Sequence, residues 1–387
     1  MLLRHAHRTG DQDAINMVLH TCDKMAAGGM YDQIGGGFAR YSVDAKWLVP
    51  HFEKMLYDNA QLAKLFLNAG RVLGRADYSA VGFATLDFML TAMQGENGAM
   101  IASLSAIDTL GREGAYYLFD DDVLAQALTP DEERVLRTVW SLPDAAAFDY
   151  GHLLINQAPL ELAAMQLGSA PDELERTLAS AMDKLKEMRR ERSLPVDNKL
   201  LAGWNALAME AFIAGARQSD KAIYAQAARQ IKRYIDTTLW DGDQLFRAIS
   251  DGVALGTVSL SDYALTARAM LAFSRWANTP RDAELAHQMV LAAWGNFYRS
   301  NGWQRERNPL LKGSELHEVL RDEAMPAADA VLIEVSLELA REMNLPRLSE
   351  MARSALNRFW EQLRAEAFFF PSRIRALEVA IAAQTGS

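Results

Sequence analysis

Apolar residues recur at helical spacing along almost the whole chain. After Pro171 one stripe runs through Leu174, Leu178, Met182, Leu185 and Met188, with charges opposite. Leu200, Trp204, Leu207, Ala211 and Phe212 form a second, Tyr263, Ala267, Met270 and Leu271 a third, and Ala328, Leu332, Val335 and Leu339 a fourth. The predicted helices are of two kinds. LLAGWNALAMEAFIAGA and MPAADAVLIEVSLELA are apolar nearly all round, as helices buried on most sides are. DELERTLASAMDKLKEMRRER and KAIYAQAARQIKRYIDTTL carry a charged face. An inner ring of buried helices wrapped by an outer ring of amphipathic ones satisfies this alternation most simply.

Punctuation supports the alternation. Polar breaks at Ser169, Ser219, Thr279 and Asn344 precede amphipathic helices, and Pro171, Pro280 and Pro346 fall where a first turn tolerates proline. The later breaks recur at roughly 60 residues, the length of a helical hairpin with a sizeable loop. Long loops lie on the other side: Gly28 to Val49, Gly95 to Phe119, Gly242 to Ser259 and Ser300 to Glu323. The runs GAMIASLSAI and GAYYLFD flank a glycine-containing turn and predict a β-hairpin. Between Asp120 and Gln157 the periodicity breaks down. The segment Leu2 to His7 allows only a short first helix, and the tail FFFPSRIRALEVAIAAQTGS shows apolar pieces without a clear partner.

Composition narrows the function classes. The 387 residues are 50% hydrophobic and 23% charged, the balance of a water-soluble globular chain. At that length two cores are usual, barrels and repeat folds being the standard exceptions. No run of about 18 apolar residues exists to span a membrane, and the start reads as no signal peptide. With a formal charge of -10 and scattered basic residues, nucleic acid is not an expected partner. The single cysteine, Cys22, excludes an internal disulfide and reads as a buried thiol, so a cytoplasmic protein is expected.

The densest chemistry lies in GGMYDQIGGGFARYSVDAKWLVPHFEKMLYDNAQL, Gly28 to Leu62. Pro50 is placed to open a helix, which puts His51 and Glu53 in its first turn and Asp58 two turns on from His51. A titratable histidine, carboxylates at Asp32, Glu53 and Asp58, and aromatic surface at Tyr31, Trp47 and Tyr57 are the groups a sugar site uses. The same residues also read as ordinary i,i+4 pairs on a helix, Glu53 with Tyr57 and Lys54 with Asp58. Trp204 and Asp262 stand near the starts of other buried helices, Asp262 also being suited to a helix N-terminus. The glycines lack the Lys-Ser/Thr ending of a phosphate loop, and no metal-ligand run occurs, so neither cofactor nor metal is expected.

GGMYDQIGGGFARYS and WLVPHFEKMLYDNAQL resemble a hallmark of the YyaL-type thioredoxin-domain-containing proteins, the family with spermatogenesis-associated members in animals. DNKLLAGWNAL and LSDYAL look like two later family motifs, in the expected order. The resemblance implies an all-α (α/α)6 toroid like those of N-acylglucosamine 2-epimerases and six-hairpin glycosidases. It also implies an N-terminal thioredoxin-like domain that this sequence does not show. A single barrel over residues 1–387 is expected, its first helix and C-terminal part incomplete. The family's acidic stretch appears as SLSAIDTLGREG and its PSGNS-like stretch as MPAADA, so part of the rim is altered. Related epimerases use a histidine pair on inner helices; His152, His287 and His317 do not fall at such starts.

Two functions follow. In the first, a carbohydrate hydrolase or isomerase, His51, Glu53 and Asp58 carry the proton transfers. Tyr31, Asp32, Arg40, Trp47, Asn59, Trp204 and Asp262 bind the sugar. In the second, a non-catalytic barrel binds a ligand or the thioredoxin-like module of longer relatives.

Overall fold

In the computed structural model the described residues are 1–155, 157–250, 252–299, 302–306, 320–358 and 360–385. The helices in chain order are α1 (Leu2–Thr9), α2 (Gln12–Ala27), α3 (Leu56–Leu73), α4 (Ala76–Ala92), α5 (Asp121–Ala127), α6 (Pro130–Val139), α7 (Leu160–Leu167) and α8 (Pro171–Arg190). They continue with α9 (Ala202–Gln218), α10 (Ala222–Tyr234), α11 (Leu260–Ala277), α12 (Pro280–Phe297), α13 (Ala328–Glu342), α14 (Pro346–Asn357), α15 (Trp360–Ala365) and α16 (Pro371–Thr385).

The expected (α/α)6 toroid is present. Helix α3 packs on α9, α9 on α11, α11 on α13 and α13 on α16. Glu378 of α16 closes the ring onto α1 through Arg4 at 3.3 Å and Arg8 at 3.2 Å. Outside this ring, α2, α4, α10, α12 and α14 each pack on the inner helix that precedes them. Inner helices α9, α11 and α13 are buried on nearly every face, as their all-round apolar sequences require.

Each inner helix reaches its outer partner by a tight turn. Gly10, Gly74, Asn278 and Asn344 take the left-handed conformation in these turns. Pro280 and Pro346 then open α12 and α14 from the first-turn positions that the sequence predicts. The return from each outer helix to the next inner one is long. All such loops therefore gather at the N-terminal ends of the inner helices and form the mouth of the toroid.

Three sequence expectations change. GAMIASLSAI and GAYYLFD do not form a β-hairpin with each other, apart from an isolated bridge between Ile107 and Glu113. Instead Ser103–Leu104 is the middle strand of a small antiparallel sheet, between Lys54–Met55 and Val196–Asp197. Both edges of the run are occupied by the segments leading into α3 and α9. The charged helix after Pro171, α8, is not in the outer ring. It packs on α6 and α7 in an insertion between α4 and α9, around its own core of Leu124, Leu136, Trp140, Leu178 and Leu185. The unpartnered tail is α16, which buries Ala376 and Ala380 against α13.

The lumen is crossed by charges from five of the six inner helices. Lys64 of α3 lies 2.5 Å from Glu210 of α9, and Glu210 accepts from Arg268 of α11 at 2.7 Å. Arg268 also lies in the field of Glu334 of α13, which accepts from Arg375 of α16 at 2.5 Å. Signs thus alternate from α3 to α16. Burial alone would keep Glu210 protonated; Arg268 and Lys64 reverse this and hold it ionised, down at about 2. Glu210→Ala would leave two cations facing each other inside the ring. It is expected to cost about 3 kcal/mol in denaturant unfolding. Glu187→Ala, which removes only the exposed partner of Arg190, is expected to leave the midpoint unchanged.

Candidate functional site at the mouth of the toroid

The glycine-rich segment is not the start of a helix. Residues 28–53 double back on themselves: Tyr31 bridges Phe38, Ser42 bridges Pro50, and Arg40 N–H donates to the Glu53 carbonyl at 2.8 Å. Asp44 holds the bend by accepting from the N–H groups of Lys46, Leu48 and Val49. A Cβ on Gly29 would lie 2.2 Å from the Leu48 carbonyl oxygen, so only glycine allows the two arms to approach. Gly37 has φ 77°, and a Cβ there would strike the Phe88 ring.

The expectation that Pro50 opens a helix is corrected accordingly. Pro50 pairs in an extended arm, Phe52 has φ 58°, and α3 begins at Leu56. Lys54 and Met55 prefer strand pairing with Ser103–Leu104, which postpones the helix. His51 and Glu53 therefore reach the mouth from a loop, and only Asp58 stands in a first helical turn.

Several expected ligand-binding residues are consumed by the scaffold. Asp32 is buried in an ion triad, 2.7 Å from Lys54 Nζ and 2.6 Å from Arg189 Nη1. Burial opposes ionisation of Asp32, but the charges of Arg189 and Lys54 outweigh it and hold the carboxyl well below its usual range. Burial brings Lys54 down to about 8 against the pull of Asp32. Arg189 also donates to the Tyr117 carbonyl, so the triad ties the insertion to the glycine-rich loop. Asn59 is fully buried, accepting from Phe38 N–H and donating to its carbonyl. Tyr31 packs on Phe38 with ring centroids 5.0 Å apart, and Trp47 packs in the same core. Asp262 forms a capping box with Ser259 and accepts from Gly203 N–H. The polar groups of Asp32, Asn59 and Asp262 are thus engaged within the protein.

Arg40, His51, Glu53 and Asp58 do converge. Glu53 Oε2 lies 3.5 Å from Arg40 Nη1 and 3.8 Å from His51 Nδ1. His51 stacks on Tyr41, centroids 4.6 Å apart and planes within 12°. Arg40 also lies in the field of the Tyr57 phenol. Asp58 Oδ2 and His51 Nδ1 are both shielded from solvent with no hydrogen-bond partner among the described residues. Burial pushes the Asp58 carboxyl up to about 7; Arg40 opposes this and the Glu53 carboxylate adds to it.

Beside this cluster lies a cavity of about 370 Å³, lined by Tyr57 and Trp204, whose rings meet edge to face at 4.8 Å. Ser261, Arg305, Glu306 and Glu323 supply its polar wall. Arg305, Glu306 and Glu323 are residues sequence reasoning missed. They belong to the loop before α13, and rim position alone could have marked them. His152 pairs with Asp121 in the insertion and His287 lies on α12, both away from the mouth. His317 falls outside the described residues. Among the described residues no group of three or more His, Cys, Asp or Glu side chains could hold a metal ion, and no helix is long and apolar enough to cross a membrane.

The Asp58 shift has a signed consequence for stability. Its folded value lies above the unfolded one, so the folded state keeps a proton that the unfolded chain releases as pH rises from about 4 towards 7. Stability falls through that window. Asp58→Asn carries no such penalty: its melting temperature is expected to match the parent near pH 4 and to exceed it above pH 7. A difference independent of pH would contradict the assignment.

No family model matches the chain. Human spermatogenesis-associated protein 20 is 28% identical over 97% of this chain and 52% of its own length. The mouse protein is 29% identical over 70% of this chain and 38% of its own. The chain thus spans about half or less of the length of these curated relatives. Among solved structures, a D-mannose isomerase covers 89% of this chain and 86% of its own at 11% identity, TM-score 0.42. A GH76 α-mannanase from Bacteroides thetaiotaomicron covers 98% and 70% at 12% identity, TM-score 0.47. Cellobiose 2-epimerase from Bacillus thermoamylovorans covers 91% and 87% at 10% identity, TM-score 0.42. The glycine-rich and HFEKM segments resemble the YyaL-type family, and the chain is a homologue of the human, mouse and rat spermatogenesis-associated protein 20.

Proposed function

We propose that the mouth of the toroid binds a carbohydrate and performs acid–base chemistry on it, as a hydrolase or a sugar isomerase. One observation carries this reading: Asp58 has a shielded carboxyl oxygen, unpartnered among the described residues and pushed by burial up to about 7, beside the Arg40-paired Glu53 carboxylate. Two carboxyl groups in contrasting environments are what general acid and general base require. Asp58 is the donor, Glu53 the acceptor, and His51, oriented by stacking on Tyr41, carries protons between site and solvent. Tyr57 and Trp204 offer aromatic surface to the C–H faces of a sugar, and the cavity has the volume of a small-molecule site.

A second reading is a non-catalytic barrel that binds a ligand or the thioredoxin-like module of longer relatives. The apolar floor of the cavity, Leu320, Met325, Pro326 and Ala327, favours it, as does the position of Asp58 and Glu53 outside the cavity wall.

Calorimetric titration with a panel of mono- and disaccharides separates the two. The first reading expects a sugar whose affinity falls about tenfold in Trp204→Ala, since an aromatic face contributes about 1 kcal/mol or more. With that sugar as substrate, turnover is expected to fall as pH rises through about 7, where Asp58 gives up its proton. Asp58→Asn should abolish turnover while leaving binding within a few-fold. If no sugar binds the parent, the carbohydrate reading fails and the partner-binding barrel stands.

A further inference from the structure

Below the mouth the lumen continues as a separate chamber. Gln61 Nε2 donates to the Ala324 carbonyl at 3.0 Å, and Pro326 borders both spaces, so these residues form a septum. The lower chamber has a volume of about 470 Å³ and adjoins one of about 310 Å³, both lined by Lys64, Asn68, Arg71 and Glu210. Arg71, in the last turn of α3, lines both spaces, and Arg217, in the last turn of α9, lines the smaller.

The charge of this chamber runs against that of the protein. The chain carries a formal charge of -10, yet the larger chamber is lined by Arg4, Lys64, Arg71, Arg268 and Arg375. Among the described residues Glu210 is the one carboxylate in its wall, engaged by Lys64 and Arg268 together; Arg4 pairs with Glu378 and Arg375 with Glu334 behind the wall, which leaves Arg71 as the unpaired charge. Arg71 has no ion-pair partner among the described residues. A concave wall with this excess of cations focuses positive potential into the chamber. The Arg71 guanidinium, unpaired by any described residue, presents paired donors matched to a phosphate or carboxylate. Asn68, between Lys64 and Arg71 on the same helix face, adds a neutral amide beside them.

We propose that this lower chamber is a binding site for a small oxyanion-bearing ligand, a phosphomonoester or polycarboxylate, held by Lys64, Arg71 and Arg268. It is distinct from the sugar site proposed at the mouth and does not depend on it. A ligand here would neutralise Arg71, the cation of the wall that no described carboxylate pairs.

The test is calorimetric titration of the whole chain at constant ionic strength, with inorganic phosphate, glucose 6-phosphate and citrate as probes. Chloride and unphosphorylated glucose are the controls. Saturable binding of at least one oxyanion probe is expected, weakened about tenfold or more by Arg71→Gln and by Lys64→Gln. Arg176→Gln, on the exposed face of α8, should leave it unchanged. Tighter binding of glucose 6-phosphate than of phosphate would identify a phosphomonoester, and tighter binding of citrate a polycarboxylate. Should Lys64→Gln unfold by releasing Glu210, Arg71→Gln still decides, because that side chain supports no described ion pair. No saturable binding, or binding that Arg71→Gln leaves intact, overturns the proposal.

Discussion

Six helices arranged as a ring leave a space at the centre that their backbones cannot fill, and here that space is bridged by ion pairs. Lys64, Glu210, Arg268, Glu334 and Arg375 stand on five successive inner helices with alternating sign. Buried charges are tolerable only when paired with good geometry, so each helix must present its charge at a matching height. That requirement fixes the relative translation of the helices, which hydrophobic packing alone specifies loosely. The height of every inner N-terminus, and with it the level of the mouth, follows.

The mouth is built on this frame by the loops that return from the outer helices. The Asp32–Lys54–Arg189 triad pins the glycine-rich loop to the insertion from beneath. Asn59 pins it to α3 by holding both backbone groups of Phe38. With both anchors in place, Arg40, His51 and Glu53 project from a loop whose position is set by buried contacts. Their meeting with Asp58 is thus held by supporting residues rather than by the flexibility of a surface loop.

The fold was legible because helical periodicity survives in every hairpin and because proline and left-handed asparagine positions mark the turns. The insertion was not: its short helices α5 and α7 carry too few turns for a stripe to stand out. Nor was the role of α16, whose partners Asp329 and Glu334 lie far away in sequence. At the site, sequence reading found the segment but misjudged its geometry. Pro50 is an ordinary helix-opening signal, and only the distant Ser103–Leu104 strand turns Lys54–Met55 into sheet. Asp32, Asn59 and Asp262 have the chemistry of ligand groups, yet their partners, distant in sequence for the first two and local for Asp262, make them structural. The lumen charges did have a signal. Glu210 is a lone charge in an otherwise apolar helix segment, and such a residue needs a partner.

The proposed acid–base chemistry requires one protonation state, that of Asp58 beside Glu53. Carbon-13 NMR of the side-chain carboxyl groups, followed from acid to alkaline pH in the parent and in Asp58→Asn, observes it directly. One carboxyl titrating near pH 7 in the parent and missing from the variant is the predicted result. If every aspartate and glutamate carboxyl of the parent titrates below about pH 5, within the ordinary range of such groups, the mouth holds no proton donor at neutral pH and the acid–base reading is wrong.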